Sequence, residues 1–133
     1  MKISRESLHS EVMEEIEETS GERLSSCYQC GKCSAGCPMI SEMEYPPHQI
    51  VRFLHLGDTE RAFKSKAIWL CASCHSCASR CPQSFDLSNM MEALRVKLLR
   101  SGELKLCPEE IDQELLKKAP QQAFIGAFRK YSN

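Results

Sequence analysis

The chain carries one cysteine pattern twice, and that repeat limits what it can fold into. Cys27, Cys30, Cys33 and Cys37, followed by Pro38, read C-x₂-C-x₂-C-x₃-C-P. Cys71, Cys74, Cys77 and Cys81, followed by Pro82, read the same. This is the spacing of two-cluster ferredoxins, in which the fourth cysteine of each run serves the other cluster. Thiolates at every third residue can wrap one corner of an iron–sulfur cubane. The proline then turns the chain away, so the fourth thiolate is offered to a neighbour. The expected ligand sets are therefore crossed. Cys27, Cys30, Cys33 and Cys81 are expected to hold one [4Fe–4S] cluster, and Cys71, Cys74, Cys77 and Cys37 the second.

Other cysteine chemistries explain less of the pattern. A zinc site takes four thiolates and would leave half of these idle. Cys71-Ala72-Ser73-Cys74-His75 matches a C-x-x-C-H haem-attachment motif, but Gly31 stands where His75 would be in the first run, and both runs continue to two further cysteines. Structural disulfides suit an oxidising compartment. Met1 to Ser20 is acidic and amphipathic and lacks the basic-then-apolar order of a secretory signal. No apolar stretch approaches the roughly 18 residues of a membrane span. The expected setting is therefore cytoplasmic, without membrane insertion. The formal net charge of −1, with no basic run, gives no overall field for nucleic acid.

Outside the cysteine runs the periodicity is helical, and no segment alternates with period two. Leu8, Val12 and Ile16 form a stripe over Ser7–Thr19, with Met13 beside it, and Ser20-Gly21 stops it. Pro46-Pro47 opens a helix to about Leu56, with Ile50, Val51 and Leu54 inward and Gly57 as its stop. Asp58 or Thr59 caps a short helix to about Lys64. Asp86 caps a longer one, with Phe85 and Met90 as a hydrophobic staple and Leu87, Met90, Met91, Leu94 and Leu98 as its core stripe, ending at Ser101-Gly102. A last helix is expected from Pro108 to Lys118, its acidic and basic ends matching the macrodipole. The first cysteine run, Cys27 to Cys37, rich in Gly and Ser, is expected as loop or short turns. The fold class is mainly α. Three segments are expected: an N-terminal amphipathic helix (1–24), the two-cluster domain (25–101) and a helical tail (102–133).

Within the runs, Gly31 and Gly36 are expected to let backbone N–H groups approach sulfur, and Lys32, His75 and Arg80 to offset cluster charge. Cys107 stands alone at a helix boundary with no redox part. His9, His48 and His55 have no partners at ligand spacing. Glu14 to Glu18 read as a solvated helix face. Phe124, Ile125, Phe128 and Tyr131 form an aromatic-rich tail face that could dock a partner subunit. With eight thiolates saturating the irons and no nucleophile–base pair, catalysis by this chain itself is not expected.

Five stretches carry a resemblance: Cys27 to Pro38; Ile50 to Leu56 with Gly57; Lys66-Ala67-Ile68-Trp69-Leu70-Cys71; Cys77-Ala78-Ser79-Arg80-Cys81-Pro82; and Met91-Glu92-Ala93-Leu94-Arg95. Together, over roughly Ser25 to Leu99, the chain resembles the C subunit of heterodisulfide reductase. The resemblance implies the α-helical ferredoxin fold and a cytoplasmic, hetero-oligomeric complex. Its partners there are a flavin- and iron–sulfur-containing A subunit and a catalytic B subunit. In that setting the C subunit relays electrons from the flavin-containing partner to the catalytic one, where a disulfide is reduced. Iron–sulfur subunits of succinate dehydrogenase, fumarate reductase or glycerol-3-phosphate dehydrogenase share the helical module, but usually fused to further cysteine-rich domains that this chain has no room for. A redox-sensing module is the remaining class, and one cluster would suffice for it.

Overall fold

Burial of short apolar stripes around the cysteine runs organises the chain. The computed structural model describes residues 10–102 and 106–132. Nine α-helices and three 3₁₀ turns make up its regular structure among the described residues, with no strand. Contacts gather the chain into two compact units that divide between Arg95 and Val96.

In the first unit, α1 (Glu11–Ser20) buries Met13, Ile16 and Ser20, while Val12 is only half-buried. The inner face is thus turned from the expected Leu8–Val12–Ile16 line toward Met13, and Leu8 lies outside the described residues. Gly21, at φ 70°, ends the helix and returns its N–H to Glu17 O. Glu17 does not belong to a solvated face: its carboxylate accepts the Leu24 N–H at 2.6 Å, fixing the 3₁₀ turn Leu24–Ser26. His55 Nε2 donates to Leu24 O at 2.6 Å and ties that turn to the centre of the unit.

The cysteine runs contain short helices rather than loops alone: α2 (Lys32–Ala35) in the first and α6 (Ser76–Arg80) in the second. Between them lie α3 (Pro47–His55), α4 (Thr59–Lys64) and α5 (Ala67–Leu70). Helix α3 begins with Pro47 in its first turn and ends in a Schellman motif. There Gly57 (φ 71°) donates to Leu54 O and Asp58 donates to Phe53 O, both at 2.9 Å. Its inner face holds Ile50, Val51 and Leu54 as expected, and also Pro47 and Phe53. Asp58 caps α4 by accepting the Arg61 N–H at 3.3 Å.

Helix α7 (Leu87–Arg100) starts at Asp86, whose carboxylate accepts N–H groups of Ser88 (2.9 Å) and Asn89 (3.4 Å). Leu87, Met90, Met91 and Leu94 are buried along one face, with Phe85 buried ahead of it. Ile50, Leu54, Ile68, Met90 and Leu94 have no exposed surface and form the deepest part of the core.

The second unit departs from expectation at one point. The helix expected from Pro108 to Lys118 is a 3₁₀ turn, Pro108–Glu110, a break, and then α8 (Gln113–Lys118). The break has a local cause. The Asp112 side chain accepts the Glu114 N–H and starts a new helix, with its own backbone extended at φ −58°, ψ 131°. Glu114 therefore takes the acidic first-turn place expected for Glu109 and Glu110. Pro120 precedes α9 (Gln121–Tyr131), on which Phe124 and Phe128 are half-buried and Ile125 is half-exposed.

Candidate metal centre

The eight repeat cysteines ring two cavities in the first unit. One is lined by Cys37, Cys71, Cys74 and Cys77, with Cys33 on its wall. The other is lined by Cys27, Cys30, Cys33 and Cys81. Each cavity thus meets three cysteines of one run and the fourth of the other, and Cys33 faces both. Their empty volumes, open mouths included, are nearly equal at about 380 and about 400 Å³. Cys107 lines neither cavity.

Close packing of α2 on α6 brings the runs together. Gly36, just before Cys37, lies under the Arg80 side chain, just before Cys81. A Cβ on Gly36 would come within 2.5 Å of Arg80 Cδ and Nε. The glycine leaves room for the Arg80 side chain in this position, across the junction of the two runs.

The backbone repeats as the sequence does. Gln29 and Ser73, one residue before the second cysteine of each run, have φ 65° and 51°. Gly31 and His75, one residue after it, have φ 77° and 55°. Left-handed backbone is uncommon outside glycine, and here it recurs at matched positions. Such turns swing successive N–H groups toward one side, forming a concavity suited to anions, iron–sulfur clusters included. The thiols register this. A hydrogen bond from the Lys32 N–H holds the Cys30 thiol below its ordinary range. Hydrogen bonds from the Ser76 hydroxyl and N–H do the same for Cys74. Burial pushes the Cys33 and Cys37 thiols up. Further polar groups reach the sulfurs: Phe85 N–H to Cys81 Sγ at 3.3 Å, Gln29 Nε2 to Cys27 Sγ at 3.5 Å, and the buried Ser88 hydroxyl 3.6 Å from Cys77 Sγ.

This donor set suits clusters better than single ions. Among the described residues, no three His, Cys, Asp or Glu side chains converge tightly enough to hold one metal ion. The thiols are spread around cavities instead. A cubane, whose four thiolates bind four different irons, needs that spread, whereas zinc draws four thiolates to one centre.

Two of the remaining expected residues, His48 and His75, have structural partners. His48 shares a 2.7 Å hydrogen bond through Nδ1 with Ser34 Oγ, which also accepts the His48 N–H at 3.0 Å. Ser34, buried in the first run, thereby caps α3 from outside that helix. His75 Nδ1 lies 2.9 Å from Asp86, so its charge when protonated is already engaged. Lys32 is exposed. His9 lies outside the described residues. One functional candidate has no role in the sequence reading: Arg95, buried at 4% exposure, donates to Ile68 O at 2.7 Å and to Ser73 Oγ at 3.2 Å. A signal for it exists, since Arg95 falls at i+4 from Met91 on the apolar stripe of α7.

Comparison with known proteins agrees with this site. The C subunit of an H₂:CoB-CoM heterodisulfide,ferredoxin reductase from Methanothermobacter thermautotrophicus is 29% identical over 100 residues, covering 75% of this chain and 54% of that protein. The iron–sulfur C subunit of the CoB–CoM heterodisulfide reductase of Methanopyrus kandleri is 31% identical over 108 residues, covering 75% and 56%. A protein of Archaeoglobus profundus, described as like the C subunit of heterodisulfide reductase, is 32% identical over 89 residues, covering 66% and 47%. The chain spans about half the length of these relatives. Residues 9–86, more than half of the chain, match the model of the 4Fe-4S dicluster domain. With both cysteine runs inside that match, the chain belongs to the 4Fe-4S dicluster domain family.

Proposed function

We propose that the chain holds two [4Fe–4S] clusters, one on Cys27, Cys30, Cys33 and Cys81 and one on Cys37, Cys71, Cys74 and Cys77. We further propose that it relays electrons in a cytoplasmic heterodisulfide reductase-like complex. The relay runs between a flavin- and iron–sulfur-containing A subunit and a catalytic, disulfide-reducing B subunit. The observation that carries this reading is the pair of crossed cavities sharing Cys33. A shared wall suits electron transfer between two centres. The clusters supply reversible one-electron chemistry when bound. The protein's own residues hold and shield them: thiols from both runs, inward-turned N–H groups, and the apolar side chains of Met43, Leu87 and Met91 on the cavity walls. With every thiol of the repeat committed, the disulfide chemistry belongs to the partner.

The crossed assignment is tested by Cys81→Ser. It should damage the cluster held by Cys27, Cys30 and Cys33 and leave the EPR signal of the other. Loss confined to the cluster of Cys71, Cys74 and Cys77 would refute it. The relay is tested by isolating the tagged chain from its native cells. A flavoprotein and a disulfide-reducing catalytic subunit should accompany it, the first reducing its clusters and the second reoxidising them; a chain that purifies alone and accepts no electrons from a flavoprotein contradicts the relay. Leu115, Leu116 and Ile125, exposed in the second unit, favour docking through the C-terminal helices. Deleting Gln121–Asn133 should then release the partners, and full retention would refute that part.

A further inference from the structure

We infer that Arg95 supplies a buried positive charge to the cluster site of Cys37, Cys71, Cys74 and Cys77, raising that site's potential so that an electron entering the chain comes to rest there. The inference rests on the cluster reading proposed above.

Arg95 sits on the core face of α7 at 4% exposure, beside fully buried Leu94. Its guanidinium donates to Ile68 O, an end carbonyl of α5, and to Ser73 Oγ, between Cys71 and Cys74. No carboxylate among the described residues pairs with it. A guanidinium stays charged under all ordinary conditions, and burying a charge is costly unless it is compensated. Two neutral acceptors satisfy its hydrogen bonds but do not neutralise it. The hydrogen bond to Ser73 sets this charge against the stretch of the second run between Cys71 and Cys74.

Among the described residues, no second buried cation serves the other site. Gln29, the counterpart of Ser73, is neutral and turns its amide to Cys27 Sγ. The cations that the sequence places within the runs, Lys32 and Arg80, are exposed, and solvent and salt screen exposed charges far more than buried ones. His75 is exposed and already faces Asp86. Net charge, hydrogen bonds and burial set the potential of such centres. One-electron reduction adds a negative charge and makes no bond, so the site nearer the buried cation is favoured. One cluster loses the electron that the other gains, and no proton or further reactant is required.

The test is EPR-monitored redox titration of the cluster-loaded full chain and of Arg95→Gln and Arg95→Lys. Cys30→Ser and Cys74→Ser, each perturbing one cluster, assign the two potentials. Glutamine keeps a donor but loses the charge; lysine keeps the charge. The wild-type site of Cys37, Cys71, Cys74 and Cys77 should have the higher potential. Arg95→Gln should shift the distribution of one electron between the sites by at least tenfold toward the other, about 59 mV for a one-electron couple. Arg95→Lys should keep most of the gap. If Arg95→Gln loses that cluster, the wild-type chain and Arg95→Lys decide: the inference stands if the site of Cys37, Cys71, Cys74 and Cys77 has the higher potential in both, and is overturned if it has the lower. It is overturned if Arg95→Gln leaves the gap unchanged, or if both variants fall together, which would mark Arg95 as a structural hydrogen-bond donor only. A wild-type chain without two clusters would instead refute the cluster reading.

Discussion

Replacing Ser34 by alanine should loosen the cluster sites without touching a ligand. Helix α3 has Pro46 at its N-cap position, and no side chain within the helix caps it. Its first free N–H, that of His48, is satisfied instead by Ser34 Oγ at 3.0 Å, from the first cysteine run. The same hydroxyl meets His48 Nδ1 at 2.7 Å, and Ser34 is only 7% exposed. Removing a side-chain cap costs about 0.5–2 kcal/mol. The second hydrogen bond adds at most about as much again, offset where water reaches the half-buried His48 ring. A local loss of about 1–2 kcal/mol corresponds to a factor of about 5–30 in the opening equilibrium. Hydrogen exchange followed by mass spectrometry on the cluster-loaded chain reads this directly. Peptides covering His48 to Ile50 should exchange faster by that factor, while the first turns of α7 hold their wild-type rate. Because Pro47 and His48 line one cavity each, cluster decay in air should quicken as well. Unchanged exchange at His48 to Ile50, or an equal rise in both helices, would refute the capping argument.

Three further outcomes are expected. Gly36→Ala should displace the exposed Arg80 side chain at little cost, shifting stability by less than about 1 kcal/mol in chemical denaturation; a larger loss that Arg80→Ala does not relieve would contradict the contact. Leu94→Ala, at a position with no exposure, should cost about 2–5 kcal/mol in a chemical denaturation of the loaded protein, and a loss below about 1 kcal/mol would place Leu94 outside the core. In cluster-free protein that keeps its helical circular dichroism, Cys30 and Cys74 should be alkylated before Cys33 and Cys37 at neutral pH. Their lowered pKa gives them more thiolate, the reactive form, whereas the raised pKa of Cys33 and Cys37 gives them less. Alkylation of Cys33 and Cys37 ahead of the other pair, read by mass spectrometry, would contradict this.

The features legible in the sequence are those with local causes. The Leu/Met stripe of α7 and its Asp86 cap, the Gly57 stop of α3 and the Asp58 cap of α4 all act within a few residues of the segment they define. The doubled cysteine spacing is equally direct. What escapes a sequence reading depends on segments meeting in space. Ser34 caps a helix that starts well downstream, and Gly36 matters because Arg80 arrives from the other run. The short helices inside the runs follow from left-handed turns at Gly31 and His75, and a histidine does not announce that conformation. Arg95 reads in sequence only as part of a family-like stretch, because the acceptors that give it meaning, Ile68 and Ser73, lie far away in the chain. The break before α8 is hidden for a different reason: Asp112 competes with helix continuation only once its side chain takes the Glu114 N–H.

The central claim is that eight cysteines hold two cubanes. Iron and acid-labile sulfide analysis of the anaerobically purified chain, with EPR of the dithionite-reduced protein, tests it most directly. About eight irons and about eight sulfides per chain are expected, with the split signals of two interacting [4Fe–4S] centres. About four irons per chain, or zinc in place of iron, would contradict it.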